Sequence, residues 1–106
     1  MSLGYSPEHP DRETLDSMEG KTVVQFGTDF CGYSIAAERY IAPAMADHPD
    51  VKHIKVEDGK GRRLGRTYGV KLWPTMIFLK DGTEVARVVR PTNRAVVDEA
   101  LAKLDA

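Results

Sequence analysis

Apolar positions cluster along this chain with a spacing that changes from segment to segment, and charged, glycine-containing joints separate the clusters. TVVQF at 22–26 is a β-branched run closed by Gly27-Thr28-Asp29, the signature of a buried strand feeding a loop. Beyond it, GYSIAAERYIAPAMADH places Ile35, Ala36, Tyr40, Ile41, Ala44 and Met45 three and four residues apart, which predicts a helix with one apolar face. Pro43 falls inside that pattern and predicts a kink or a division there. VKHIKV at 51–56 is short and β-branched and reads as a second strand. TMIFL at 75–79, Lys80-Asp81-Gly82 and TEVARVV at 83–89 read as a β-hairpin, because an Asp-Gly pair supplies the positive-φ positions of a tight turn.

Three further helices complete the pattern. Residues 10–19 start with a proline suited to a first turn, carry Asp11 and Glu13 early and stop at Gly20. A short helix fits 62–68. The last, with Thr92 as its predicted N-cap, carries the stripe Val96, Val97, Ala100, Leu101 and Leu104. Helix, strand, helix, strand, helix, hairpin, helix predicts an α/β domain: a mixed sheet of about four strands with helices on both faces. Its first two strands should be parallel with a right-handed crossover.

Composition adds limits. The 106 residues suffice for a single domain, 1–106, in which 1–9 read as a mobile arm. A formal net charge of -1, with 42% hydrophobic and 29% charged residues, gives no bias toward nucleic acid or an anionic membrane. The basic cluster Lys60, Arg62, Arg63 and Arg66 reads as a solvated face. No apolar stretch approaches a membrane span and no leader is visible, so the chain as written reads as cytoplasmic; Met1-Ser2-Leu3 also fits an expression remnant, which leaves a removed leader open. His9 and His48 have no ligand-spaced companions, so no metal is expected.

The candidate chemistry sits in FCGYS. Cys31 is the single cysteine, so it forms no internal disulfide. The predicted strand-loop-helix junction puts it at a helix start, where free backbone N–H groups favour a thiolate; a buried small side chain is the alternative. Phe30 and Tyr33 would form an apolar rim. Far off in sequence, Leu72-Trp73-Pro74-Thr75 precedes the hairpin. Its proline is either an ordinary first strand residue or a cis X-Pro whose neighbouring backbone is free to pair with an extended peptide.

From residue 22 to the end these segments resemble the thioredoxin family: FGTDFCGYS stands where its members carry aromatic-Cys-Gly-Pro-Cys, and Pro74-Thr75 followed by MIFLKDGTEV is similar to their cis-proline, strand and hairpin. The resemblance implies a thioredoxin fold with cis-Pro74 and thiol-disulfide exchange, Cys31 attacking while Phe30, Gly32, Tyr33, Trp73, Pro74 and Thr75 bind substrate backbone. Implied partners are disulfide or thiol proteins, with glutathione or a thioredoxin-reductase-type reductant. No cofactor is implied beyond glutathione as co-substrate.

The departures from the family are informative. Ser34 replaces the resolving cysteine, naturally or by engineering, and an alcohol does not attack sulfur at neutral pH. Gln25 and His53 stand near the family's buried aspartate and lysine, and read as two satisfied polar residues. Tyr33 replaces the motif proline, and Arg90-Pro91 replaces a small residue and glycine beside the groove. Two other readings stay open: a non-catalytic binding module, and a monothiol glutaredoxin-like protein holding glutathione and an iron-sulfur cluster, which CGYS resembles locally.

Overall fold

The computed structural model describes residues 3–106. The expression-remnant reading of Met1 and Ser2 falls outside them. Four strands form one sheet in the order β2-β1-β3-β4. β1 (Lys21–Gly27) pairs parallel with β2 (Lys52–Glu57) and antiparallel with β3 (Thr75–Lys80), and β3 pairs antiparallel with β4 (Thr83–Val89).

The period-2 alternation of the strands divides the core between two faces. Val23, Met76 and Phe78 point to one face and pack against Ala37, Ile41, Ala44 and Met45 of α2 (Gly32–Ala46) and Val97, Leu101 and Leu104 at α4 (Arg94–Lys103). Val24, Phe26, Ile77 and Leu79 point to the other, against Leu15 of α1 (Arg12–Asp16) and Leu64 and Tyr68 around α3 (Leu64–Thr67). The expected mixed sheet with helices on both faces is therefore present, and its central strand β1 ends at the loop that delivers Cys31.

Several local expectations need correction. α1 is shorter than predicted, because Asp11 caps it by accepting a 2.8 Å hydrogen bond from Thr14 N–H, and the chain leaves the helix at Ser17. α2 is not divided at Pro43: the helix runs on through it, and Ile41 before the proline and Ala44 and Met45 after it are buried in one core. Its apolar face is also rotated from the predicted one. Ala37, Ile41, Ala44 and Met45 face inward at i, i+4, i+7 and i+8, while Ile35 is 52% exposed. α4 is capped by Asn93, whose Oδ1 accepts from Val96 N–H at 3.1 Å, so Thr92 lies outside it and Val96 is partly exposed.

The described part of the expected mobile arm is docked. Ser6 bridges in parallel to Val56, with Ser6 N–H donating to Lys55 O and Glu57 N–H donating to Ser6 O. Tyr5 is buried, with the Lys55 ammonium 4.9 Å over its ring. Asp29 Oδ1 accepts from both Leu3 and Tyr5 N–H, so the loop before Cys31 holds the arm in place.

Candidate functional site

Cys31 is the N-cap of α2, with extended backbone (φ -83°, ψ 121°) and a carbonyl that accepts the helix's first bond from Ile35 N–H. The sulfur is partly exposed. Partial burial pushes its pKa up. The backbone N–H groups of Ser34 and Tyr33, the Ser34 hydroxyl and the Arg90 charge outweigh burial, so the thiol is held below its ordinary value. A helix start and a nearby cation are the two environments that turn cysteine into a nucleophile near neutral pH.

Behind the sulfur lies a buried polar seam. Ser34 is fully buried and its Oγ has no hydrogen-bond partner among the described residues, although it sits close enough to favour the ionised sulfur. Tyr5 Oη accepts from Gln25 Nε2 at 2.6 Å, and Gln25 Oε1 pairs with His53 Nε2 at 2.8 Å. His53 is therefore the donor to that carbonyl oxygen. A Cβ on Gly27 would lie 2.7 Å from both Ser34 Oγ and Tyr5 Oη, so only a glycine at the end of β1 leaves room for the two hydroxyls. Gln25 and His53 satisfy each other, as read from the sequence. Tyr5 was not readable as a site residue, since a lone aromatic in a polar arm carries no spacing signal.

Burial drives the Tyr5 phenol up to about 12, so it stays protonated, and burial, with the Lys55 charge, drives His53 down to about 4. The unfolded chain then binds a proton near pH 6.5 that the folded one refuses until about 4. Stability from this source is complete above pH 6.5 and lost as pH falls toward 4. Between pH 7 and 5 the loss should be about 2 kcal/mol. Urea unfolding of the wild type and of His53→Gln over that range checks it: the variant should lose less stability by that difference, and parallel curves would refute it.

The 72–75 segment is linked to the Cys31 turn through Arg90. The Trp73–Pro74 peptide is cis. Trp73 Nε1 donates to Asp58 at 2.8 Å, Thr75 is buried with its hydroxyl donating to Leu72 O, and Arg90 N–H donates to Pro74 O at 2.9 Å. Arg90 has φ +47°, donates Nε to Trp73 O at 2.8 Å and lays its guanidinium 3.6 Å from the Tyr33 ring centroid. This one side chain ties the proline loop to the Cys31 turn. Phe30 is 93% and Tyr33 60% exposed, so these rings project outward beside Gly32. Asp58, which fixes Trp73, carries no signal in the sequence; an acid beside another at a strand end looks like any surface carboxylate.

A thiol on a helix cap, tied through Arg90 to a cis-proline loop, admits comparison with known proteins. The Thioredoxin family model matches residues 9–103. The chain belongs to the thioredoxin family. Thioredoxin of Chlamydia pneumoniae is 34% identical over 79 residues, covering 73% of this chain and 78% of that protein. Thioredoxin H-type 1 of Nicotiana tabacum is 38% identical over 71 residues, 63% of this chain, and the match spans only 53% of that longer protein. The reduced form of thioredoxin 2 from Pseudomonas aeruginosa PAO1 superposes with a TM-score of 0.86 at 55% identity, covering 98% of this chain and 96% of that one.

Proposed function

We propose that this protein is a monothiol exchanger. The Cys31 thiolate attacks one sulfur of a substrate disulfide, a bond forms between the two sulfurs, and the substrate's other sulfur leaves as a thiolate with the electron pair. Ser34 cannot repeat that attack, because its hydroxyl ionises far above neutral pH. An external thiolate, from glutathione or a reductant of the thioredoxin-reductase type, then displaces Cys31 and takes its place in the disulfide. Substrates are disulfide-bearing proteins or glutathione disulfide, held in the groove between Phe30-Cys31-Gly32-Tyr33 and Trp73-Pro74-Thr75.

The observation that carries this reading is the N-cap position of Cys31, with its ionised form favoured by the first turn, Ser34 and Arg90. Iodoacetamide alkylation of the folded protein against pH tests it. The expected midpoint lies well below the roughly 8.5 of a free cysteine, and a midpoint at or above that value, or a thiol that does not react until unfolding, would reject it.

A further inference from the structure

Arg39 and Arg90 are set apart from the other arginines by where they sit. Arg12, Arg62, Arg87 and Arg94 pair with carboxylates. Arg39 and Arg90, like the exposed Arg63 and Arg66, have no carboxylate partner among the described residues. The two share a groove of about 430 Å³ that leads away from the Cys31 turn along α2. Its walls are Tyr33, Ala36, Tyr40 and Pro91, and these two guanidinium groups are its charges.

Arg90 is fixed by the bond from its Nε to Trp73 O and by stacking on Tyr33. Its terminal N–H groups have no protein acceptor among the described residues, so a planar donor edge is presented without further ordering. Arg39 lies six residues beyond Tyr33 on α2, with its guanidinium 5.9 Å from the Tyr40 ring centroid. An apolar floor flanked by two unpaired guanidinium groups suits a ligand that places an apolar side chain and a carboxylate side by side. Neutral or basic chains would leave both cations unmatched.

We infer that the groove lined by Tyr33, Tyr40, Arg39 and Arg90 is a subsite for an acidic peptide segment next to the reacting cysteine, so that the preferred substrates are proteins with Asp or Glu and an apolar residue close to their disulfide. The inference rests on the exchange reading above, whose chemistry is unchanged: the Cys31–substrate disulfide forms, and the substrate's second sulfur departs as thiolate. The subsite adds selection. Arg90 and Arg39 hold the acidic segment while Cys31 reacts, and salt weakens the hold because Arg39 is exposed and Arg90 half-buried at the surface.

Two peptides of one sequence, each carrying a thiopyridyl-activated cysteine, test it, one with two Glu residues beside an apolar residue and one with Gln in their place. Thiopyridone release should be about five- to tenfold faster with the acidic peptide at low ionic strength, and the advantage should shrink as salt rises. Arg39→Gln should remove most of the advantage without touching the Cys31 turn, and Arg90→Gln should remove it after rates are normalised to the thiolate fraction measured by alkylation. Equal rates for the two peptides, or an advantage that survives both substitutions, overturns the inference. Glutathione disulfide is the third arm: dependence on both arginines there, but not with peptides, overturns the peptide assignment in favour of glutathione. Binding of the two peptides, each with its cysteine S-methylated, to Cys31→Ser reads the subsite without exchange. A preference there for the acidic peptide that needs Arg39 supports the subsite even if exchange fails, and its absence overturns it.

Discussion

Gly82→Ala should destabilise the fold by at least about 3 kcal/mol and lower its Tm by roughly 12 °C or more. Asp81 and Gly82 form the two-residue hairpin turn with φ +49° and +80°, the sign that a twist-matched turn demands at both central positions. A left-handed alanine alone costs on the order of 1 kcal/mol. The larger effect is contact: a Cβ on Gly82 would overlap the Asp16 carbonyl, 2.5 Å from its carbon, and that atom is backbone at the end of α1. The turn cannot withdraw, because Asp81 N–H donates to Gly20 O at 2.9 Å and Asp81 Oδ1 accepts from Gly20 N–H at 2.7 Å. Gly20→Ala supplies the control, since Gly20 has φ +86° but open space around its would-be Cβ. Thermal melts should separate the two by the overlap alone, and equal Tm values would show that strain, not contact, governs both sites.

That turn marks where the sequence was legible. Asp81-Gly82 between two β-branched runs declares a hairpin, since the chemistry of the turn is local. The docking of its tip against α1 is a contact across more than sixty residues, for which no local pattern exists. The same boundary runs through the site. Cys31 at a strand-to-helix junction and Trp73-Pro74-Thr75 before a strand were readable, because each follows from its immediate neighbours. Tyr5 reads as part of a free arm, for the aromatic that reaches Gln25 belongs to no periodic apolar pattern. Arg90 was noticed as a departure beside the groove, yet its stacking on Tyr33 and its hold on Trp73 O appear only when β4 is folded back beside β3. Helix faces fell between these cases: the period of α2 was visible, but which stripe turned inward was settled by the sheet it packs on.

Ser34→Cys should convert a protein that stalls as a mixed disulfide into one that releases itself. Treated with excess Ellman's reagent, the wild type should give one thionitrobenzoate per chain and keep the second on Cys31 as a lasting adduct. The variant should give two, because a thiol at position 34, on the first turn of α2 that Cys31 caps, attacks the adduct intramolecularly. Oriented groups within one molecule act at effective concentrations of about 10⁵ M or higher in favourable cases, so release at least about 10³-fold faster than with 1 mM external thiol is a conservative expectation. The surroundings limit how fast it becomes. Position 34 is fully buried beside Tyr5 Oη and Gln25, and neither a protonated phenol nor an amide takes up the incoming thiol's proton. Burial raises the pKa of a thiol placed there, and only its thiolate attacks. The second release should therefore quicken about tenfold per pH unit between pH 7 and 8, while the first, driven by a Cys31 already favoured as thiolate, should change less. A variant that releases only one equivalent, or whose adduct lives as long as the wild type's, would show that position 34 does not face the Cys31 sulfur as a resolving thiol must. Ser34 would then have to be given a different part in the site.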